Sequence, residues 1–409
     1  MRLTIRSIAT CAAIVALLIV PSGAASPALT DTGRQTLAAF LRESVARGDA
    51  PAVAAIVVTP DRVMFLNSAG NRDVAKHIPM TPDTIFRIAS MTKPVTSLAA
   101  MMLIEQGKLR LDDPVATYLP EFAKRQVLTT FNADGTFESR PPNRPVTVRD
   151  LLTNTAGLGY SFSDARLAKL DELKIPQGEQ PLLHEPGQKW TYGTNTFVVG
   201  QIIEKLTGQT IDVFYRDQIF APLSMTDTFY VVPADRRDRV VTLHQKEGGA
   251  TIERPNDATL QSMPARGDGG LFSTASDYGK FMQLFLNGGR AGTTRLVSAD
   301  SVRQMFSNQI GGVTVSLQPT AAPLRSRPFP LGAGKDKFGF GFQLETPPIV
   351  AGMRSAGSGS WGGINNTHFW IDPQKHVAAA VLMQVLPFYD EACLSVLRGF
   401  EKQLYQELN

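Results

Sequence analysis

Two kinds of apolar pattern divide the chain. Near the N-terminus, residues 53–58 (VAAIVV) and 62–66 (RVMFL) are short β-rich runs separated by Thr59, Pro60 and Asp61, which predicts a hairpin. Towards the C-terminus, residues 338–344 (FGFGFQL), 367–372 (THFWID) and 376–383 (HVAAAVLM) predict three more strands, the last two joined by a tight turn at residues 373–375. A helix over residues 34–47 precedes the first pair. Val396, Leu397, Phe400 and Leu404 at helical spacing predict another helix at the far end.

Between these ends helix signals dominate. Thr147 with Asp150 and Thr274 with Asp277 have capping-box spacing, and Gly208 and Gly288 fit helix C-terminal stops. Residues 129–145 predict a small hairpin turning at Asp134-Gly135, and residues 317–337 a proline-rich loop with no readable chemistry. The expected fold is α/β (α+β). One antiparallel sheet is assembled from both ends of the chain, from about residues 50–70 and 338–384, and is flanked by the terminal helices. An all-helical region is inserted between the strands, and sites are expected where the two parts meet.

Composition narrows the function classes. With 409 residues, 43% apolar and 19% charged, the chain can bury a sizeable core. The formal charge of +4 falls by two, to +2, once Arg2 and Arg6 are set aside, and no Lys or Arg run is clustered. A nucleic-acid or membrane-surface role therefore has little support. Residues 1–25 carry those two arginines, an apolar run at 8–20 and small residues at 22–25, the pattern of a secretory signal. An N-terminal anchor is the alternative, although the run is short for a spanning helix. The expectation is an exported protein, periplasmic or secreted, with residues 26–409 as one domain and no stable membrane insertion after cleavage. Cys11 would leave with the signal. Cys393 alone cannot form an internal disulfide, so the core must hold the fold.

Candidate chemistry starts at Ser90 and Lys93. Val95, Leu98, Ala99, Met102 and Leu103 form a helical stripe that ends at Gly107, which places both residues in the first turn. Side chains three apart share a helix face, so the lysine nitrogen can reach the serine oxygen. The positive end of the helix favours an alkoxide and disfavours an ammonium, and a partly desolvated lysine there can act as the base. The plainer reading is a serine N-cap with a snorkelling lysine. A second candidate, Tyr192, falls with Asn195 just before an apolar helix, where it could relay protons or simply fill the core. A third is the glycine-rich approach to a strand at Trp361, Gly362 and Gly363, where a substrate could lie against a strand edge; the alternative is a plain loop.

Ser90-Met91-Thr92-Lys93, Tyr192 and Trp361-Gly362-Gly363 stand in the order and context of the serine hydrolases that include class C β-lactamases, penicillin-binding DD-peptidases and family VIII carboxylesterases. The chain resembles that family from about residue 81 to 289, and again at 361–363. The resemblance implies a β-lactamase/transpeptidase-like fold and a serine-acyl mechanism with no metal or cofactor. It implies Ser90 as nucleophile, Lys93 as its base, Tyr192 as proton relay, and the backbone N–H groups of Ser90 and Ile364 as holders of the oxyanion. Thr194, Asn195, Trp361, Gly362 and Gly363 are the implied substrate contacts. Two features depart from relatives that act on β-lactams. Tyr192 is followed by Gly193 and Thr194, with Asn195 one place late, and Trp361 stands where Lys or His usually helps hold a carboxylate. Both resemble the esterase branch.

The expected substrates are accordingly small, short-chain, neutral carboxylic esters. A β-lactamase, a D-alanyl-D-alanine peptidase or a non-catalytic binding protein on the same fold are the alternatives. A Ser-His-Asp hydrolase lacks its Gly-x-Ser-x-Gly, and a zinc enzyme its His-Glu-x-x-His.

Overall fold

The first β-rich run is apolar at every position because both faces of its strand are covered. In this computed structural model, which describes residues 27–409 except 258, the run forms β1 (Ala52–Val58). Ala52, Ala54, Ile56 and Val58 enter one core cluster, while Val53, Ala55 and Val57 enter another on the opposite face. Full burial of a side chain such as Ile56 stabilises the fold by roughly 1.5–3 kcal/mol. The expected signal segment and Cys11 lie outside the described residues.

β1 belongs to an eight-stranded sheet. The other members are β2 (Val63–Asp73), β3 (Ile78–Pro79), β4 (Lys337–Phe338), β5 (Gln343–Leu344), β6 (Gly359–Gly363), β7 (Thr367–Asp372) and β8 (Val377–Leu382). Their order is β4-β5-β6-β7-β8-β1-β2-β3, antiparallel throughout. The expected joining of the two chain ends occurs at β1 and β8, from Ala54 opposite Leu382 to Val58 opposite Ala378. Helix α1 (Asp31–Ala46) and the last helix, α5 (Glu391–Glu407), cover one face through Leu37, Leu41, Leu397 and Phe400. The two ends of the described residues meet there: Leu29 bridges Leu408, and the Asn409 N–H donates to the Ala28 carbonyl at 3.3 Å.

The other face carries α2 (Thr92–Glu105), α3 (Asn195–Thr207) and α4 (Ala275–Leu286) with the rest of the helical insertion. Every residue of α2 from Thr92 to Leu103 is buried, so the apolar stripe understates its position. A helix enclosed on all sides needs small and apolar residues all round, which the TSLAAMML run provides. Gly107, at φ +69°, then turns the chain out of it.

Two local expectations differ from what forms. Residues 338–344 are not one strand but a tight hairpin of β4 and β5. Gly341 bends it at φ +90°, and a Cβ on Gly339 would stand 1.9 Å from the Met305 carbonyl oxygen. The glycines serve a turn and a close approach, not a pleat. Residues 359–363, read as an approach to a strand, are a strand. Elsewhere Thr147 and Asp150 close a reciprocal capping box, whereas Thr274 accepts from the Asp277 N–H while the Asp277 carboxylate accepts instead from Asp227 and Thr228.

On β7, His368 is a buried base whose Nε2 has no hydrogen-bond partner. Burial, reinforced by the Arg354 charge, lowers its pKa to about 3. An unfolded chain binds this proton near the ordinary value of about 6.5, whereas the folded chain refuses it, so stability falls with acidification between those values. We predict a contribution of about 1.4 kcal/mol per pH unit below pH ~6.5. Urea titrations should show His368→Gln losing stability less steeply with acid than wild type, and parallel slopes in the two proteins would refute the assignment.

Candidate active site

The site is built on a turn that several elements hold. The Ile88 N–H donates to the Leu271 carbonyl and the Met91 N–H to the Ile88 carbonyl, both at 3.0 Å, while the Tyr278 hydroxyl of α4 donates to the Met91 carbonyl at 3.0 Å. Ala89 is forced to φ +46°, a left-handed conformation that costs a non-glycine residue on the order of 1 kcal/mol or more. Ser90 lies in the resulting 3-10 turn, Ala89–Met91, and Lys93 is the second residue of α2. The serine therefore precedes the helix instead of sitting in its first turn, yet the side chains still meet.

Lys93 is 3% exposed and its Nζ has three polar neighbours. It donates to the Asp268 carbonyl oxygen at 2.6 Å, lies 3.0 Å from the Tyr160 hydroxyl and lies 3.3 Å from Ser90 Oγ. The Tyr160 hydroxyl donates its proton to Asp268 Oδ2 at 2.7 Å, so towards Lys93 its oxygen acts as an acceptor. A neutral amine has two N–H groups and one lone pair. With both N–H groups committed to oxygens that accept, the lone pair is left for the serine proton. As an ammonium the same nitrogen donates to all three without moving. The Tyr192 and Tyr160 ring centroids, 4.7 and 5.2 Å away, support that charged state.

Tyr160 and Asp268 carry no signal in the local pattern around Ser90. Burial first, then the Asp268 carboxylate, raises the Tyr160 pKa and keeps the phenol neutral. Asp268 is itself buried, which works against its charge, but Lys93 and the hydrogen-bonded Arg266 hold its pKa below the usual carboxylate value. Gly267 makes the approach feasible. A Cβ there would stand 2.3 Å from the Thr196 carbonyl oxygen, so only glycine lets this loop press against α3 and present the Asp268 carbonyl to Lys93.

Tyr192 and Trp361 line a cavity of about 280 Å³ together with Ser90, Tyr160, Gly362 and Ile364. The Trp361 Nε1–H donates to the Tyr192 hydroxyl at 3.4 Å, and the two rings are 5.0 Å apart. Gly363 lets the end of β6 pack on the Ser90 turn, since a Cβ would fall 2.3 Å from the Ile88 carbonyl oxygen. β6 pairs with β5 only at Gly359 and Ser360, so Trp361–Gly363 has no ladder partner on that side. Thr194 and Asn195 do not reach the cavity. Both are buried, and Asn195 Nδ2 donates to Asn154 Oδ1 at 3.0 Å, which ties α3 to its neighbouring turn. The proline-rich loop does contribute, through Arg325 and Phe329. Arg325 is an exposed cation whose guanidinium lies 5.9 Å from the Phe162 ring centroid. Among the described residues no group of acidic, His and Cys side chains is placed to hold a metal, and no helix is long and apolar enough to cross a membrane.

Residues 37–396 match the family model described as Beta-lactamase. Lovastatin esterase of Penicillium rubens is 31% identical over 351 residues, covering 80% of this chain and 87% of its own. Among solved structures, a mutant of simvastatin synthase LovD from Aspergillus terreus superposes with a TM-score of 0.78 at 23% identity, covering 92% of this chain and 95% of that one. EstCE1, a hydrolase with promiscuous acyltransferase activity, superposes at 0.74 and 21%, covering 92% and 99%. These two structures share the fold. The chain belongs to the beta-lactamase family and is an enzyme, a serine hydrolase of that family.

A prediction follows from the Tyr160 geometry. Tyr160→Phe removes an acceptor from Lys93 while Arg266 still satisfies Asp268, so the fold should survive. Turnover of an aryl ester should fall by roughly 10- to 100-fold, the range of one positioned hydrogen bond to a reacting group. Unchanged kcat with an unchanged melting temperature would reduce Tyr160 to filler.

Proposed function

We propose that this member of the family hydrolyses carboxylic esters through an acyl-enzyme on Ser90. The observation that supports the proposal is the set of contacts of Lys93 Nζ: in the neutral amine the Asp268 carbonyl and the Tyr160 hydroxyl oxygen take its two N–H groups, and the lone pair is then free for the Ser90 hydroxyl 3.3 Å away. Lys93 takes the Ser90 proton as Oγ attacks the ester carbonyl, and the backbone N–H groups of Ser90 and Ile364 hold the oxyanion. The intermediate collapses when the C–O bond to the alcohol breaks. The Lys93 proton reaches the departing oxygen through the Tyr192 hydroxyl; the Tyr192 ring centroid lies 4.7 Å from Lys93 Nζ, and the hydroxyl accepts from the Trp361 Nε1–H at 3.4 Å. Water, or a second alcohol, then takes the acyl group by the reverse proton path. The likeness to lovastatin esterase supports ester cleavage. Export from the cytoplasm remains part of the proposal, resting on residues 1–25.

Short-chain neutral esters suit this cavity. Its volume is small and its walls are largely aromatic, from Trp361, Tyr192, Phe329 and Phe162. Arg325 does not overturn that choice. An exposed ion pair is worth ~0–1 kcal/mol, less than about tenfold in rate, whereas an unpaired carboxylate pressed against an indole loses a few kcal/mol of hydration, on the order of 100-fold.

Ser90→Ala should abolish turnover and labelling by a fluorophosphonate while leaving the melting temperature intact. Lys93→Arg should fail by about 10³-fold or more, because a guanidinium stays charged and cannot accept the proton. An active arginine variant would make the lysine purely electrostatic. Neutral short-chain esters should exceed a cephalosporin or a D-Ala-D-Ala peptide in kcat/KM by at least about 100-fold, and Trp361→Lys should narrow the gap. A cephalosporin hydrolysed as well as the ester would restore the β-lactamase reading.

A further inference from the structure

Three consecutive main-chain carbonyls beside Lys93 each accept a hydrogen bond from a side chain elsewhere in the core. The Tyr230 hydroxyl donates to the Arg266 carbonyl at 2.7 Å, the Thr96 hydroxyl to the Gly267 carbonyl at 2.6 Å, and Lys93 Nζ to the Asp268 carbonyl at 2.6 Å. Thr96 and Lys93 both come from α2. So does Thr92, whose hydroxyl donates to the Ala89 carbonyl at 2.7 Å and accepts from the Leu271 N–H at 3.3 Å. One helix thus grips both the Ser90 turn and the loop that orients the amine.

Behind Thr96 stands Tyr215, fully buried at the end of a short helix, Ile211–Tyr215, and its hydroxyl donates to Thr96 Oγ1 at 2.7 Å. Burial raises its pKa, so the phenol keeps its proton to donate. The direction of this chain is fixed. A carbonyl oxygen can only accept, so the single Thr96 proton goes to Gly267, with the Thr92 carbonyl at 3.4 Å as the weaker alternative, and Oγ1 receives the Tyr215 proton. Buried hydroxyls in general need partners. This core does not supply them everywhere, since Ser97 Oγ on the same helix and Thr196 Oγ1 on α3 have none.

The bond to Gly267 controls more than one oxygen. Packing on α3 demands a residue without Cβ at this position, and a glycine is weakly restrained about its own ψ. Its carbonyl lies in the planar peptide unit that leads into Asp268. Holding that oxygen holds the plane, and with it the direction of the next carbonyl, the one that meets Lys93.

We propose that Thr96 is a positioning residue for Lys93, acting through the Gly267–Asp268 peptide, and that Tyr215 acts in series behind it. The proposal rests on the esterase reading, in which Lys93 takes the Ser90 proton, and adds the device that aims the amine. Neither Thr96 nor Tyr215 lines the Ser90 cavity, so neither touches substrate.

The test uses the full chain as wild type, Thr96→Val, Thr96→Ser, Tyr215→Phe and the Thr96→Val/Tyr215→Phe double variant. Each is assayed with p-nitrophenyl butyrate and with a fluorophosphonate whose labelling of Ser90 is followed to its endpoint. The endpoint counts folded sites, and the rate constant of the fraction that labels reports the aim of the amine. Thr96→Val keeps the shape and removes the hydroxyl, so kcat and the labelling rate constant should each fall by about 10-fold or more while KM stays within about twofold. Thr96→Ser restores the hydroxyl and should return both to within about threefold of wild type. Tyr215→Phe alone should cost about two- to fivefold, and the double variant should be no slower than Thr96→Val, because the two act in series. Wild-type rates in Thr96→Val, a serine variant as slow as the valine one, or a double variant slowed by the product of the single losses overturns the proposal. Should Thr96→Val fold poorly, its endpoint falls, and a wild-type rate constant in Tyr215→Phe still overturns it. A wild-type chain that neither labels nor cleaves the ester overturns instead the esterase reading beneath it.

Discussion

The hydrogen bond from Lys93 Nζ to the Asp268 carbonyl, 2.6 Å long, constrains everything else at the site. A carbonyl oxygen can only accept, so it fixes one N–H and with it the orientation of the whole amine. Tyr160 fixes the second by giving its own proton to the Asp268 side chain. One residue thus orients the Lys93 amine twice, through its main chain directly and through its carboxylate by way of a phenol. Ser90 needs only to be within reach of what is left.

That arrangement is stiff because its parts come from separate elements that cannot move independently. The Ser90 turn is gripped by Tyr278 from α4 and touched by Gly363 from the sheet, while the Asp268 loop is wedged on α3 at Gly267. Each contact is glycine on backbone or hydroxyl on carbonyl, with no flexible side chain to absorb a shift. The site sits at the seam of sheet and helices, and the packing of that seam sets the distance between Ser90 and Lys93.

What the sequence made legible was what is local. The Ser90–Lys93 spacing could be read because helix geometry is set by neighbours along the chain, and the two-ended sheet because long apolar runs such as residues 53–58 fit little else. Tyr160 and Asp268 could not be read. They meet Lys93 across separations of 67 and 175 residues, and the decisive group on Asp268 is a main-chain oxygen, which has no residue type. The strand at 359–363 was obscured by glycines that lower β-propensity, and the same bias in reverse made a hairpin at 338–344 look like one strand. Asn195 resembled a substrate contact by its distance from Tyr192, but it is buried away from the cavity and its amide nitrogen donates to Asn154.

The pairing of β1 with β8, and the meeting of Leu29 with Leu408, also govern when the chemistry can exist. During synthesis Ser90, Lys93, Tyr160 and Asp268 are all made well before β6 to β8 emerge, so the Ser90 turn lacks Gly363 beneath it and β1, already beside β2, lacks β8. Contacts between such distant residues form late and slowly, since the intervening loop must close first. The nascent protein therefore holds Ser90 and Lys93 without the scaffold that aligns them until the sheet closes. Because that closure brings Leu29 beside Leu408, a short peptide joining residues 27 and 409 should be tolerated, and the chain could then be opened at an exposed loop with the working geometry unchanged.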